Sequence, residues 1–122
     1  MQSQGTTAPQ AAAAGEPPID RTHLVRMTLG DGAVEREVLA LFDRQIATLI
    51  GRIGAAAPSD VPALAHTLKG SARGVGAWRV AAAAEAVEVA ASGEGDLSAA
   101  ITRLAAVAEE ARAVIAELLH TN

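Results

Sequence analysis

Large apolar residues recur in steps of three and four from Ile19 to Leu119. This spacing gathers side chains on one face of an α-helix, and no stretch shows the alternation a strand needs. The stretch "IDRTHLVRMTLG" sets Ile19, Leu24, Met27 and Leu29 at near-helical spacing, predicting a short first helix with Asp20 as its cap and Gly30 as its stop. Asp31 can cap a second helix that turns Val34, Val38, Leu41, Phe42, Gln45, Leu49 and Ile53 inward and ends near residue 56, before Pro58. Ser59 and Asp60 offer the next caps, and Pro62 falls in the first turn, where its missing N–H does no harm. This third helix should reach Val75 and bend at Gly74 and Gly76. A fourth, "AWRVAAAAEAVEVAAS", presents Val80, Ala84, Val87 and Ala91 on one side, and Gly93 and Gly95 follow it. Asp96 can cap the last, whose stripe is Ile101, Leu104, Val107, Ala108, Ala111, Ile115 and Leu118. Four long helices with short links, behind one short helix, predict an all-α fold: an antiparallel four-helix bundle.

The opening "MQSQGTTAPQAAAAGEPP" breaks this pattern. It is poor in large apolar residues and cannot bury enough surface to offset its ordering entropy, so residues 1–18 are expected to form a disordered tail and residues 19–122 the domain. A chain of 122 residues suffices for one core and is short for two. Half of the residues are apolar but Phe42 and Trp78 are the only aromatics, so the core must consist of Ala, Leu, Val and Ile at close spacing. Trp78, at the head of the fourth helix, is expected to pack there. Without cysteine there are no disulfides, thiolate metal sites or Cys nucleophile. The net charge of −4, with no run of Lys or Arg, argues against nucleic acid as a partner. No window has the roughly 20 apolar residues of a membrane span and no signal-peptide layout is seen, so the cytoplasm is the expected compartment.

The stretch "LAHTLKGSARGV", residues 64–75, carries the one candidate for chemistry. With about 100° per residue and His66 at zero, Leu64, Leu68, Ser71 and Val75 lie near 160°, 200°, 140° and 180°. They form the expected core stripe. Ser59, Pro62, Lys69, Gly70 and Arg73 fall within about 60° of His66, which is therefore expected to face solvent among cationic neighbours. A histidine on such a face is often only solvated, but Gly70 in a helix interior, about 1 kcal/mol less favourable than Ala, is left unexplained by that reading. Imidazole, with an unperturbed pKa of about 6.5, is a nucleophile near neutral pH and can attack a phosphoryl group. Lys69 could offset charge on the phosphoryl oxygens, and Gly70 would leave room beside the ring. His23, His66 and His120 lie on separate segments without metal-ligand spacing, so no metal site is expected. Glu85, Glu88, Glu109 and Glu110 read as a solvated face and are assigned no chemistry.

The stretch "AHTLKGSARGVGA", and the order of helices around it from residue 19 to about 119, resembles the histidine-containing phosphotransfer (HPt) domains of phosphorelays. The resemblance implies that His66 is the phosphorylated residue, Lys69 stabilises the phosphate, Gly70 gives clearance, Ser71 and Ala72 pack the helix, and Gly76 with Ala77 marks the turn. It further implies a phosphotransfer intermediate that takes a phosphoryl group from a receiver aspartate and passes it to another receiver, with no ATP-binding or kinase activity of its own. No P-loop is found in the sequence. The implied partners are response-regulator receivers and a hybrid sensor histidine kinase, with Mg²⁺ held by the receiver and no cofactor on this chain, which is expected to be a monomer. The expected docking patch is Pro62, Ala63 and Gly70, rimmed by Lys69 and Arg73. Arg73 stands where many members carry a small polar residue, and "AAAAEA" is poorer in Leu than many versions of that helix. A bundle that docks a receiver or another helix without accepting phosphate is the alternative; it calls for an absent His66 or a bulky residue at position 70, and neither is the case.

Overall fold

The computed structural model describes residues 15–121. Of the tail expected over 1–18, residues 1–14 lie outside the described residues. The elements are α1 (Arg21–Met27), α2 (Gly32–Ala55), a 3₁₀ turn (Pro58–Asp60), α3 (Val61–Val75), α4 (Trp78–Ala91) and α5 (Leu97–His120). Consecutive long helices pack together and α5 closes against α2, giving the expected all-α bundle with no strand among the described residues. No helix among these residues is long and apolar enough to cross a membrane.

Three aspartates start three of the helices. Asp20 accepts from the His23 amide, Asp31 from those of Ala33 and Val34, and Asp96 from that of Ala99, each satisfying donors that the first helical turn leaves unpaired. At α3 the expected capping differs. The 3₁₀ turn leads straight into the helix, and Asp60 makes no side-chain capping bond. The helix also runs through Gly74 without a break; the turn comes at Gly76, whose φ of 87° is left-handed.

The core departs from the expected stripes in phase. On α1 Leu24 is buried, but Met27 is exposed and Leu29 is 92 % exposed, because the helix ends at Met27 and Leu29 turns away with φ 57°. On α2 the buried set is Leu39, Phe42, Ile46, Leu49 and Ile53. Val34 is exposed, Val38 and Gln45 are half-buried, and Leu41 is 60 % exposed. On α3 the buried residues are Val61, Ala65, Leu68, Ala72 and Val75, while Leu64 and Ser71 are only half-buried. The α3 core direction thus lies near 220°, about 50° round from the expected one. Alanines fill the seam between closely packed helices and Leu64 lies at its edge. Ala91, Ile101 and Leu118 also lie at the margin of the core.

Candidate functional site

Rotating the α3 core to 220° puts the centre of its exposed face near 40°, which is the direction of Gly70, with His66 beside it. His66 is indeed exposed, its side chain retaining 70 % of its accessible surface. Gly70 faces open space: a Cβ built there meets no atom within 4 Å. The same rotation moves Lys69 toward α4. Contrary to the expectation of a solvent-facing lysine, its side chain is 14 % exposed and its ammonium lies 2.7 Å from Glu88 Oε1.

Glu88, read from the sequence as a solvated residue, is the centre of the site. Its Oε2 lies 3.0 Å from His66 Nδ1 while Oε1 meets Lys69, so one carboxylate joins the histidine to the lysine. Oε1 is buried, and its contact with Lys69 is an ion pair lacking hydrogen-bond alignment. Partial burial pushes the Glu88 carboxyl upward, but contacts with Lys69 and then His66 outweigh this and hold it below its ordinary value. The carboxylate is therefore ionised at neutral pH and can only accept. His66 Nδ1 must then carry the proton, and in the neutral ring Nε2 keeps its lone pair.

A second α3–α4 pair runs beside this one, with Arg73 Nη2 lying 3.4 Å from Glu85 Oε1. Glu110 pairs with Arg79 and Glu109 with Arg112 at the surface; Glu85, Glu109 and Glu110 are exposed as expected, and of the four glutamates Glu88 alone is drawn partly inward. Pairing across α3 and α4 has a trace in the sequence. His66 and Glu88 stand at nearly equal distances from the Gly76–Ala77 turn, so antiparallel helices bring them level.

The α3–α4 turn is itself fixed by the cap and first turn of α1. The Asp20 amide donates to the Gly76 carbonyl at 2.9 Å, and Trp78 Nε1 donates to Asp20 Oδ2 at 2.8 Å. That bond, with the one from the His23 amide, holds the Asp20 carboxyl below its ordinary range. His23 Nε2 donates to the Gly74 carbonyl at 3.1 Å, and its ring meets that of Trp78 edge-on. Trp78 therefore packs at the head of α4 as expected and also anchors α1. Pro62 and Ala63, one turn before His66, are half-buried and exposed. No group of three or more His, Cys, Asp or Glu side chains suited to a metal occurs among the described residues.

The family model described as "Hpt domain" matches residues 36–120, spanning α3 and the full His66–Lys69–Glu88 cluster. No curated protein and no solved structure matches the chain. With most of its length under that match and a four-helix bundle presenting an exposed histidine, the chain belongs to the Hpt domain family, whose members take part in phosphorelay histidine phosphotransfer.

Proposed function

We propose that His66 accepts a phosphoryl group from the aspartyl phosphate of a receiver domain and returns it to the aspartate of another. The observation that carries this reading is the Glu88 hydrogen bond to Nδ1 of an otherwise exposed ring, which leaves Nε2 as the nucleophile. The Nε2 lone pair attacks phosphorus in line with the aspartyl oxygen. An N–P bond forms, the O–P bond breaks, and its electrons leave with the aspartate as a carboxylate. The ring keeps its Nδ1 proton and becomes cationic. Glu88 stabilises that charge, and the phosphorylated imidazolium remains a good leaving group for the reverse step. Lys69, already beside the ring, turns its ammonium toward the phosphoryl oxygens. The chain needs no nucleotide or cofactor of its own, while Mg²⁺ belongs to the receiver's acidic pocket, as expected from the family resemblance.

Pro62, Ala63 and Gly70 keep the surface around His66 low enough for a receiver to approach, with Lys69 and Arg73 at its edge. The partners are then response-regulator receivers, with a hybrid sensor histidine kinase as the upstream source of phosphate. The test is transfer from receivers charged with acetyl phosphate and Mg²⁺. The parent protein should take up acid-labile label, His66→Gln should take up none while keeping its helical circular dichroism, and ATP alone should label neither. Label retained by His66→Gln would overturn the assignment. Receiver binding without label on the parent would favour the docking-only bundle.

A further inference from the structure

The two flanks of His66 differ in charge. On the α4 flank both cations of the expected rim are paired, Lys69 with Glu88 and Arg73 with Glu85. On the α2 flank a groove runs along the α2–α3 seam, lined by Leu41, Arg44, Thr48, Arg52 and, from α3, Thr67 beside His66. A second groove that shares Arg52 reaches Ala63 and Leu64, with Asp60 as its one acidic lining residue; Glu37, exposed one turn before Leu41, is the other carboxylate on this face of α2. Arg44 and Arg52 are exposed, and neither forms an ion pair among the described residues. Leu41 is 60 % exposed in the first groove. The α3 wall is low, with Gly70 and Gly74 each bordered by open space.

From this asymmetry we infer that the receiver seats over the α2–α3 seam rather than the α3–α4 seam, and that Arg44 and Arg52 select it by its acidic surface. The inference rests on the phosphotransfer reading and deepens it. A receiver carries its phosphoaspartate within an acidic pocket, so an approach over α4 meets cations already neutralised by Glu85 and Glu88, whereas an approach over α2 meets two guanidinium groups without ion-pair partners among the described residues. Leu41, exposed at one end of the groove, supplies an apolar contact. Free arginines at its rim act mainly on the rate of encounter, since exposed charges steer association and are screened by salt.

The experiment compares Arg44→Glu and Arg52→Glu with Arg103→Glu. Each changes the net charge equally, and Arg103 is an exposed residue of α5, which packs against α4 and α2 rather than α3. The probe is whichever receiver of a panel charged with acetyl phosphate labels the parent protein fastest. At low salt, the second-order rate of transfer to His66 should fall about tenfold in each of the two α2 variants and stay near the parent value in Arg103→Glu. The rate at saturating receiver should be unchanged, and the deficit should shrink at high salt. Amide shifts on receiver addition should gather on Leu41, Thr48, Thr67 and Gly70. Equal effects in all three variants, no effect in either α2 variant, or shifts gathered on Glu85 and Val89 would overturn the docking assignment while leaving His66 as the acceptor. A parent protein that no receiver labels would overturn the phosphotransfer reading, and this inference with it.

Discussion

Replacing Gly70 by alanine separates clearance for chemistry from room for packing. If Gly70 allowed a neighbouring helix to approach, an added methyl would meet that helix and destabilise the bundle. The geometry excludes this, since a Cβ at Gly70 has no neighbour within 4 Å. Position 70 lies inside α3, so Gly70→Ala should gain the difference in helix propensity, about 0.8–1 kcal/mol. For a domain of this size that raises the melting temperature by roughly 4–8 °C. The same methyl projects from the turn after His66 onto the face where phosphate and receiver approach, so transfer should slow although the fold is more stable. Gly70→Leu extends the test. A larger side chain should nearly abolish transfer while the bundle still melts cooperatively. Thermal melts followed by circular dichroism, together with label transfer per folded molecule on the same preparations, give both quantities. A raised melting temperature with unchanged transfer in both variants would refute the clearance role, and a lowered one would refute the reading of open space.

Lys69→Ala should slow transfer and also lower stability, because it leaves a buried carboxylate oxygen of Glu88 without its partner; a loss of about 1–3 kcal/mol in urea unfolding is expected. Gly76→Ala forces a left-handed backbone on alanine and sets its Cβ 3.1 Å from the Asp20 carbonyl and the His23 ring, so it should destabilise by at least about 1–2 kcal/mol in the same assay. Acid should weaken the fold through the carboxyls held below their ordinary values of 3.8 for Asp20 and 4.5 for Glu88. Their contribution is fully present above those values and is lost as pH falls through the lowered ones; urea midpoints measured from pH 7 to pH 2 should show this, with Glu88→Gln removing its share of the slope.

Local signals in the sequence proved legible because local chemistry decides them. Asp20, Asp31 and Asp96 cap helices through bonds to amides two or three residues on, and Gly76 takes a conformation that disfavours any side chain. The exposure of His66 followed from the helical period even though the assumed core direction was about 50° off. The error arose where alanine replaces larger residues. Ala65 and Ala72 fill the α3 core, so weighting Leu64 turned the expected stripe too far. It also hid the true position of Lys69, since a lysine near the helix–helix seam pairs inward. Glu88 was missed for a different reason. Its role depends on the alignment of α3 with α4 across the turn, and nothing in the local pattern of α4 distinguishes it from Glu85. The attachment of Asp20 to Trp78 joins residues far apart in sequence and likewise has no local signature.

The decisive feature of the site is which nitrogen of His66 takes the phosphoryl group. Long-range ¹H–¹⁵N correlation spectra of the imidazole, recorded before and after transfer from a charged receiver, measure this directly. The unmodified ring should appear with its proton on Nδ1. After transfer, the nitrogen coupled to phosphorus should be Nε2, with Nδ1 still protonated against Glu88. Phosphorus on Nδ1, or a free ring protonated at Nε2, would contradict that assignment.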